Sequence, residues 1–255
     1  MSGYKRNYGL EETVPYQLFA RSQQKEKLAN KSNKNTDHHK IFLQSSIVSQ
    51  AKGSAYVEIG NTKVIVSVFD PREIPNKVDY ALKGEVSCEF KYAPFSCPKR
   101  KFNQFNNKEK HYSSMMKKAL ESAICLHELP NFLVDIHAMV LEEDGSALSG
   151  AIIGAGLALA EAGVPMYDLI TSVTMNIVPK KDQNEANQNE EDEMHSLLVV
   201  SKLHTHKQIC QIYQNGCISS DKLKEYIKAL SKSCDDIVPI VQKCLLKAVM
   251  SNIKS

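Results

Sequence analysis

Ser149-Gly150-Ala151-Ile152-Ile153-Gly154-Ala155-Gly156-Leu157-Ala158-Leu159-Ala160-Glu161-Ala162-Gly163 is the stretch that decides the fold. It has the composition of a helix, and it is apolar nearly all round. A helix of that kind is buried on most sides, whereas a surface helix keeps one polar face. Gly163 stands where a helix C′ stop belongs. The expected centre of the core is therefore this helix, and the rest of the chain must supply the elements that cover it.

Those elements flank it on both sides. Leu133 to Leu141 reads as a long strand with Val134, Ile136, Ala138 and Val140 on one face and Asp135 and His137 on the other; a further strand spans Leu169 to Val178. Earlier, Tyr56 to Ile59 and Lys63 to Phe69 form two β-branched strands around a Gly60-Asn61 turn. Glu85 to Lys91 alternates, with Val86, Cys88 and Phe90 together. Tyr112, Met115, Met116, Ala119, Leu120, Ala123 and Ile124 follow helical spacing, with Lys117 and Lys118 facing outward. Downstream, Ser196 to Leu203 and Gln208 to Tyr213 are a paired set of strands, followed by two helices over Asp221 to Ser231 and Asp235 to Asn252. The fold class is α+β, mixed α/β: residues 41–255 as one domain after a polar arm over 1–40, interrupted by an acidic inserted loop at 180–195.

Composition narrows the function classes. The 255 residues are 42% hydrophobic and 24% charged, as in an ordinary globular protein able to bury a core without disulfides or metals. No apolar run reaches the roughly 20 residues of a membrane span, and the first 21 residues lack the apolar stretch of a secretory signal, so an intracellular protein with no membrane partner is expected. Seven cysteines without a Cys-x-x-Cys pair read as free thiols. A net charge of +3 predicts no nucleic-acid partner by itself; a local patch must do so.

The residues offer few places for chemistry. Asp144-Gly145-Ser146 lies between a strand and the buried helix, where N–H groups and the helix dipole can hold an anion. With Ala147 and Leu148 following, no cation completes such a site, and an N-capped helix entry is the expected role. His204 and His206 would share one side of a strand, without a third metal ligand nearby, so no metal site and no cofactor is expected. One basic patch has aromatic interleaving: Lys99, Arg100 and Lys101, with Phe95, Phe102 and Phe105 around them and Lys108 and Lys110 beyond. Cations for phosphates and rings for bases suit a single-stranded RNA path, as much as they suit a solvated loop. Arg72, after Asp70-Pro71, is a second candidate for RNA contact.

Together, Ser49 to Glu58, Gly60 to Val64, Asp70-Pro71-Arg72-Glu73, Phe90 to Phe95 and Leu141 to Gly163 resemble the RNase PH family, and the likeness runs on through Val164 to Leu169. Ala-Lys-Gly-Ser-Ala-Tyr (51–56) and Met-Tyr-Asp-Leu (166–169) point within it to one type of ring subunit of the eukaryotic RNA exosome. The resemblance implies a ribosomal protein S5 domain 2-like sheet-and-helix fold. It also implies a place among other ring and cap subunits, RNA and an associated nuclease, in nucleus, nucleolus and cytoplasm. Active members resemble one another in a phosphate turn reading Asp-Gly-Gly-Thr-Arg-Thr. Here the matching residues are Asp144-Gly145-Ser146-Ala147-Leu148-Ser149, a degenerate turn at Ser146, Ala147 and Leu148 in which leucine replaces arginine. An aspartate that precedes the strand at Leu197 in active members is matched by His195-Ser196. The resemblance thus implies a catalytically silent ring subunit. The alternatives are an active phosphate-dependent 3′ exoribonuclease and an independent single-strand RNA-binding module.

Overall fold

The computed structural model describes residues 40–74, 80–97, 100, 106–177 and 196–254. Residues 1–39 of the expected arm, the acidic loop and His195 lie outside the described residues, as do Lys99 and Lys101.

The buried helix is present as α2 (Ala147–Ala162), and every residue from Ala147 to Leu159 is buried. Strands surround it. β1 (Ile41–Ser45), β2 (Gly53–Ile59), β3 (Thr62–Val68) and β6 (Phe132–Glu142) lie side by side and antiparallel, with β5 (Glu85–Tyr92) parallel to β6. A two-residue strand, β4 (Arg72–Glu73), pairs with the start of β6. Val64, Val66 and Val68 of β3 and Val134, Ile136, Ala138 and Val140 of β6 all point to the helix side. The expected hairpin holds its register, Ile59 opposite Thr62, around Gly60-Asn61. α1 (Asn107–Glu121) packs beside α2, setting Tyr112 edge-on to Phe90 at 5.5 Å.

The other side of α2 is closed by a three-stranded antiparallel meander, β7 (Ile170–Ile177), β8 (Ser196–Leu203) and β9 (Gln208–Asn215). Glycines set both spacings. A Cβ on Gly154 would stand 2.8 Å from Val66 Cγ2 and 2.9 Å from Val57 Cγ2 in the first sheet; one on Gly156 would stand 2.9 Å from Ile170 Cγ2 in the second. From the sheet side, Gly53 admits the helix even closer, since a Cβ there would meet the Ala158 carbonyl oxygen at 2.1 Å. Ser54 N donates to Glu161, 2.8 Å away, so the one charge of α2 is used to anchor its last turn to β2.

One expectation is corrected. The two C-terminal helices are a single helix, α3 (Ser220–Lys254), which passes through Ser231–Asp235 without a break and contains Pro239. Leu230, Cys234, Val238 and Val241 stay buried at helical spacing across the expected gap, so packing on β7 and β8 holds the phase. Ser233 Oγ donates to the Ala229 carbonyl, keeping its polar group within the helix. β1 and β4 were not anticipated from the sequence. Among the described residues, no helix is long and apolar enough to cross a membrane.

The close approach at Gly53 is testable. Gly53→Ala forces the helix backbone off the sheet, an overpacking cost of about 1–3 kcal/mol, whereas Gly163→Ala meets no atom within 4 Å and pays only for its positive φ of 73°. Thermal melts should place Gly53→Ala below Gly163→Ala, and below the parent by roughly 2–4 °C per kcal/mol lost.

Candidate nucleic-acid interface

The end of β6 leads directly into the turn before α2. Gly145 has φ 92°, and a Cβ there would stand 2.7 Å from Asn176 Nδ2, so both backbone and space call for glycine. The turn is lashed to the β2–β3 hairpin. Asn61 Nδ2 donates to Asp144 Oδ2 at 2.7 Å, Asp144 N donates to Thr62 Oγ1 at 3.0 Å, and Ser146 Oγ donates to the same oxygen at 3.0 Å. The expected cap is therefore corrected: Ser146 occupies the N-cap position, but its hydroxyl goes to Thr62 and accepts no helix N–H. Ser149 Oγ donates to the Ser146 carbonyl and receives a hydrogen bond from Thr174 Oγ1 at 2.8 Å.

Ala147 and Leu148 turn inward. Leu148 is 3% exposed and belongs to the main hydrophobic cluster, so its side chain faces the core and offers the turn nothing polar. The two acids that immediately precede the turn, Glu142 and Glu143, each hold a lysine. Lys63 Nζ lies 3.0 Å from Glu142 Oε2, and that carboxylate raises the lysine's affinity for its proton. Lys108 Nζ lies 3.2 Å from Glu143 Oε1 and stands 5.5 Å over the Tyr92 ring and 5.4 Å over the Tyr112 ring.

Glu143 joins two sites that look separate in the sequence. Its carboxylate accepts from Tyr92 Oη at 2.9 Å, Cys97 Sγ at 3.3 Å and Lys108, and its N–H donates to the Ser96 carbonyl at 3.0 Å. Burial alone would raise its pKa; the Lys108 charge and the three donors outweigh burial and hold it below the ordinary glutamate range. The same surroundings push the Tyr92 phenol strongly upward, burial first and the Glu143 charge second. Glu109 completes the frame: it accepts from Tyr92 N at 3.1 Å and from Asn106 N at 3.2 Å, closing a capping box at the start of α1. The end of β5 and the start of α1 are thus tied together by two acids, and the segment carrying the basic patch leaves and returns at that knot. Phe95 is 71% exposed and Arg100 is exposed, both on this segment.

Sequence reasoning singled out the turn but missed Glu143, Glu109 and Tyr92; of the expected basic patch, Lys99 and Lys101 lie outside the described residues. The Asn106-x-x-Glu109 spacing was the available signal. Arg72 is not brought to this place. It sits in β4 opposite Leu133, with Nε 2.6 Å from Asp135 Oδ2, about 30 Å along β6 from Glu143 at some 3.3 Å per residue. His204 and His206 lie in the turn after β8 and not within a strand; His204 Nδ1 is 3.1 Å from Asp235, which also holds the buried Lys202 at 2.8 Å. Among the described residues, no cluster of His, Cys, Asp and Glu could hold a metal ion.

Residues 37–165 match the model of the 3′ exoribonuclease family, domain 1, called RNase PH. The chain is 36% identical over 211 residues to an exosome complex component RRP41-like protein of Arabidopsis thaliana, covering 83% of this chain and 81% of that one. It is 29% identical over 261 residues to the exosome complex component MTR3 of Homo sapiens, covering 96% and 95%. In fold it resembles a chain of the Archaeoglobus fulgidus exosome solved with RNA bound to the active site, with a TM-score of 0.66 and 17% identity over 88% of this chain and 99% of that one.

Because the folded chain holds Glu143 ionised below its usual range, the stabilisation from this knot is complete above the unfolded glutamate's pKa and fades as pH falls through the lower folded value. Glu143→Gln should cost about 1–3 kcal/mol at pH 7. In urea melts that gap should narrow below about pH 4.

Proposed function

The chain belongs to the RNase PH family, and on that premise we propose that it is a non-catalytic subunit of the RNA exosome core ring, of the mRNA transport regulator type. It stands beside other ring and cap subunits, in nucleus, nucleolus and cytoplasm, and helps form the path by which RNA reaches an associated nuclease. The observation that carries this reading is Leu148. Where the family's phosphate turn has an arginine, this chain turns a leucine into its core, 3% exposed. Loss of a bidentate guanidinium contact to phosphate removes about 1.5–3 kcal/mol of binding, and more where charge develops in the transition state. The hydroxyls of Ser146 and Thr62 bond each other, and Glu142 and Glu143 occupy the flanking lysines. What the turn retains suits packing better than anion capture. Full-length similarity to MTR3 of Homo sapiens supports the ring assignment.

A second reading, an active phosphate-dependent 3′ exoribonuclease, draws on the 36% identity to the RRP41-like chain. Incubation of the purified chain with inorganic phosphate, magnesium and oligoadenylate separates the two. No ADP above the enzyme-free background is expected, and steady ADP release would establish the second reading instead.

The RNA path has its own test. Reversing Lys99, Arg100 and Lys101 to glutamate in the assembled ring should weaken single-stranded RNA binding. The salt slope of log K should fall by up to about 2 if all three touch phosphate, with the ring intact by native mass. Unchanged affinity and slope would remove these residues from the path.

A further inference from the structure

Near its end α3 is apolar on two sides. Ile237, Val241 and Cys244 face the core and are buried, and Ala248 continues that side half-buried. Leu246, Val249 and Met250 point the other way, since at 3.6 residues per turn they fall across the helix from Val241 and Cys244. They are 60%, 55% and 61% exposed. Their i, i+3, i+4 spacing is the one by which a helix lays an apolar stripe on a partner, and an ordinary surface helix has a single such stripe, turned to the core. Past Cys244 no described residue of the helix is fully buried. Lys243 and Lys247, both exposed, border this second stripe along one edge, and from Ile237 to Lys254 the helix contains no acid.

The chain itself supplies a segment suited to that ledge. Residues 1–39 precede β1 and enter the fold at Lys40. β1 packs on α3, with Ser45 at its far end lying against Cys244, so the arm is attached beside this part of the helix. Its densest apolar stretch is Val14-Pro15-Tyr16-Gln17-Leu18-Phe19-Ala20, and Glu11 and Glu12 stand just ahead of it. Residues 21–39, between that stretch and the fold, hold Leu28 and Ala29 as their only apolar residues. Reach is ample. Residues 21–39 span at most about 65 Å when extended, whereas β1 is about 17 Å long and Met250 stands about 9 Å up the helix from Cys244.

We propose that residues 14–20 of the arm dock on Leu246, Val249 and Met250, with Glu11 and Glu12 beside Lys243 and Lys247. Apolar and aromatic side chains leave water on both partners, and the two acids meet the two lysines that border the stripe. A tether of this length holds the segment at roughly millimolar local concentration, so a contact with a Kd of only about 0.1 mM is closed in about nine chains of ten. The docking belongs to the single chain and stands whether or not the ring reading does.

Zero-length carbodiimide coupling of acids to lysines tests this on the purified full chain, mixed from ordinary and 15N-labelled protein. Peptides joining Glu11 or Glu12 to Lys243 or Lys247 within one copy should exceed those to Lys222 and Lys224, at the other end of α3, at least fivefold. Replacing three arm residues together, Tyr16→Ser, Leu18→Ser and Phe19→Ser, should abolish that excess and speed amide exchange over 246–254 by threefold or more. The reciprocal pair Leu246→Ser and Met250→Ser should abolish the excess as well, whereas Ile240→Ser, off the ledge, should leave it intact. Should a ledge variant fail to fold, the coupling pattern of the unaltered chain and the arm variant decide alone. No preference for Lys243 and Lys247, or exchange over 246–254 that the arm variant leaves unchanged, overturns the docking. Couplings that join labelled to unlabelled copies assign the ledge to a second copy and overturn the chain's own arm as its occupant.

Discussion

Close backbone approach between α2 and the sheets on either side of it is the constraint from which the rest of the architecture follows. Gly53, Gly154 and Gly156 leave no room for a Cβ, so the helix is gripped by β2 and β3 on one side and by β7 on the other. Interiors packed at this density respond to a single added methyl. The grip fixes where the helix begins, and with it the position of Leu148 and the turn at Asp144 to Ser146. The burial of Leu148 is thus a fact of packing: the first turn of α2 is committed to the core.

Electrostatics around the turn follow a consistent pattern. Lys63 and Lys108 each have a carboxylate within 3.0–3.2 Å. Exposed pairs of this kind contribute about 0–1 kcal/mol to stability, so their main effect is on the local field and not on the fold. The Lys108 pair differs, because Glu143 is largely shielded and also serves Tyr92 and Cys97. Drawing Lys108 away toward a phosphate would leave a sheltered carboxylate without its strongest partner, a far larger cost than parting an exposed pair.

Much of this was legible in the residues. The apolar girdle of α2, the Gly60-Asn61 hairpin, the alternating face of β6 and the stripe of α1 all declare themselves through period and turn chemistry, because for those elements burial and local preference agree. α3 misled for the opposite reason. Lys232 and Ser233 are poor core residues and Asp235 resembles a helix start, yet Cys234 keeps the buried phase and Asp235 is engaged by Lys202 of β8 and by His204 of the turn after it. Only tertiary contacts carry that information. β1 is five residues long and β4 two, too short for a period to register. At the site, the inward fate of Leu148 could be read from its apolar neighbours. The knot of Glu143 with Tyr92, Cys97 and Lys108 could not, since it unites positions up to 51 residues apart.

The stretch matched by the family model ends at residue 165, just beyond α2 and before β7 begins. That border is one of homology and not of autonomy. A fragment severed there would keep the first sheet and the helix but strip Gly156 and its neighbours of the lid made by β7 and β8, leaving a bare oily flank. Such a piece would present to water apolar surface that the whole chain keeps covered.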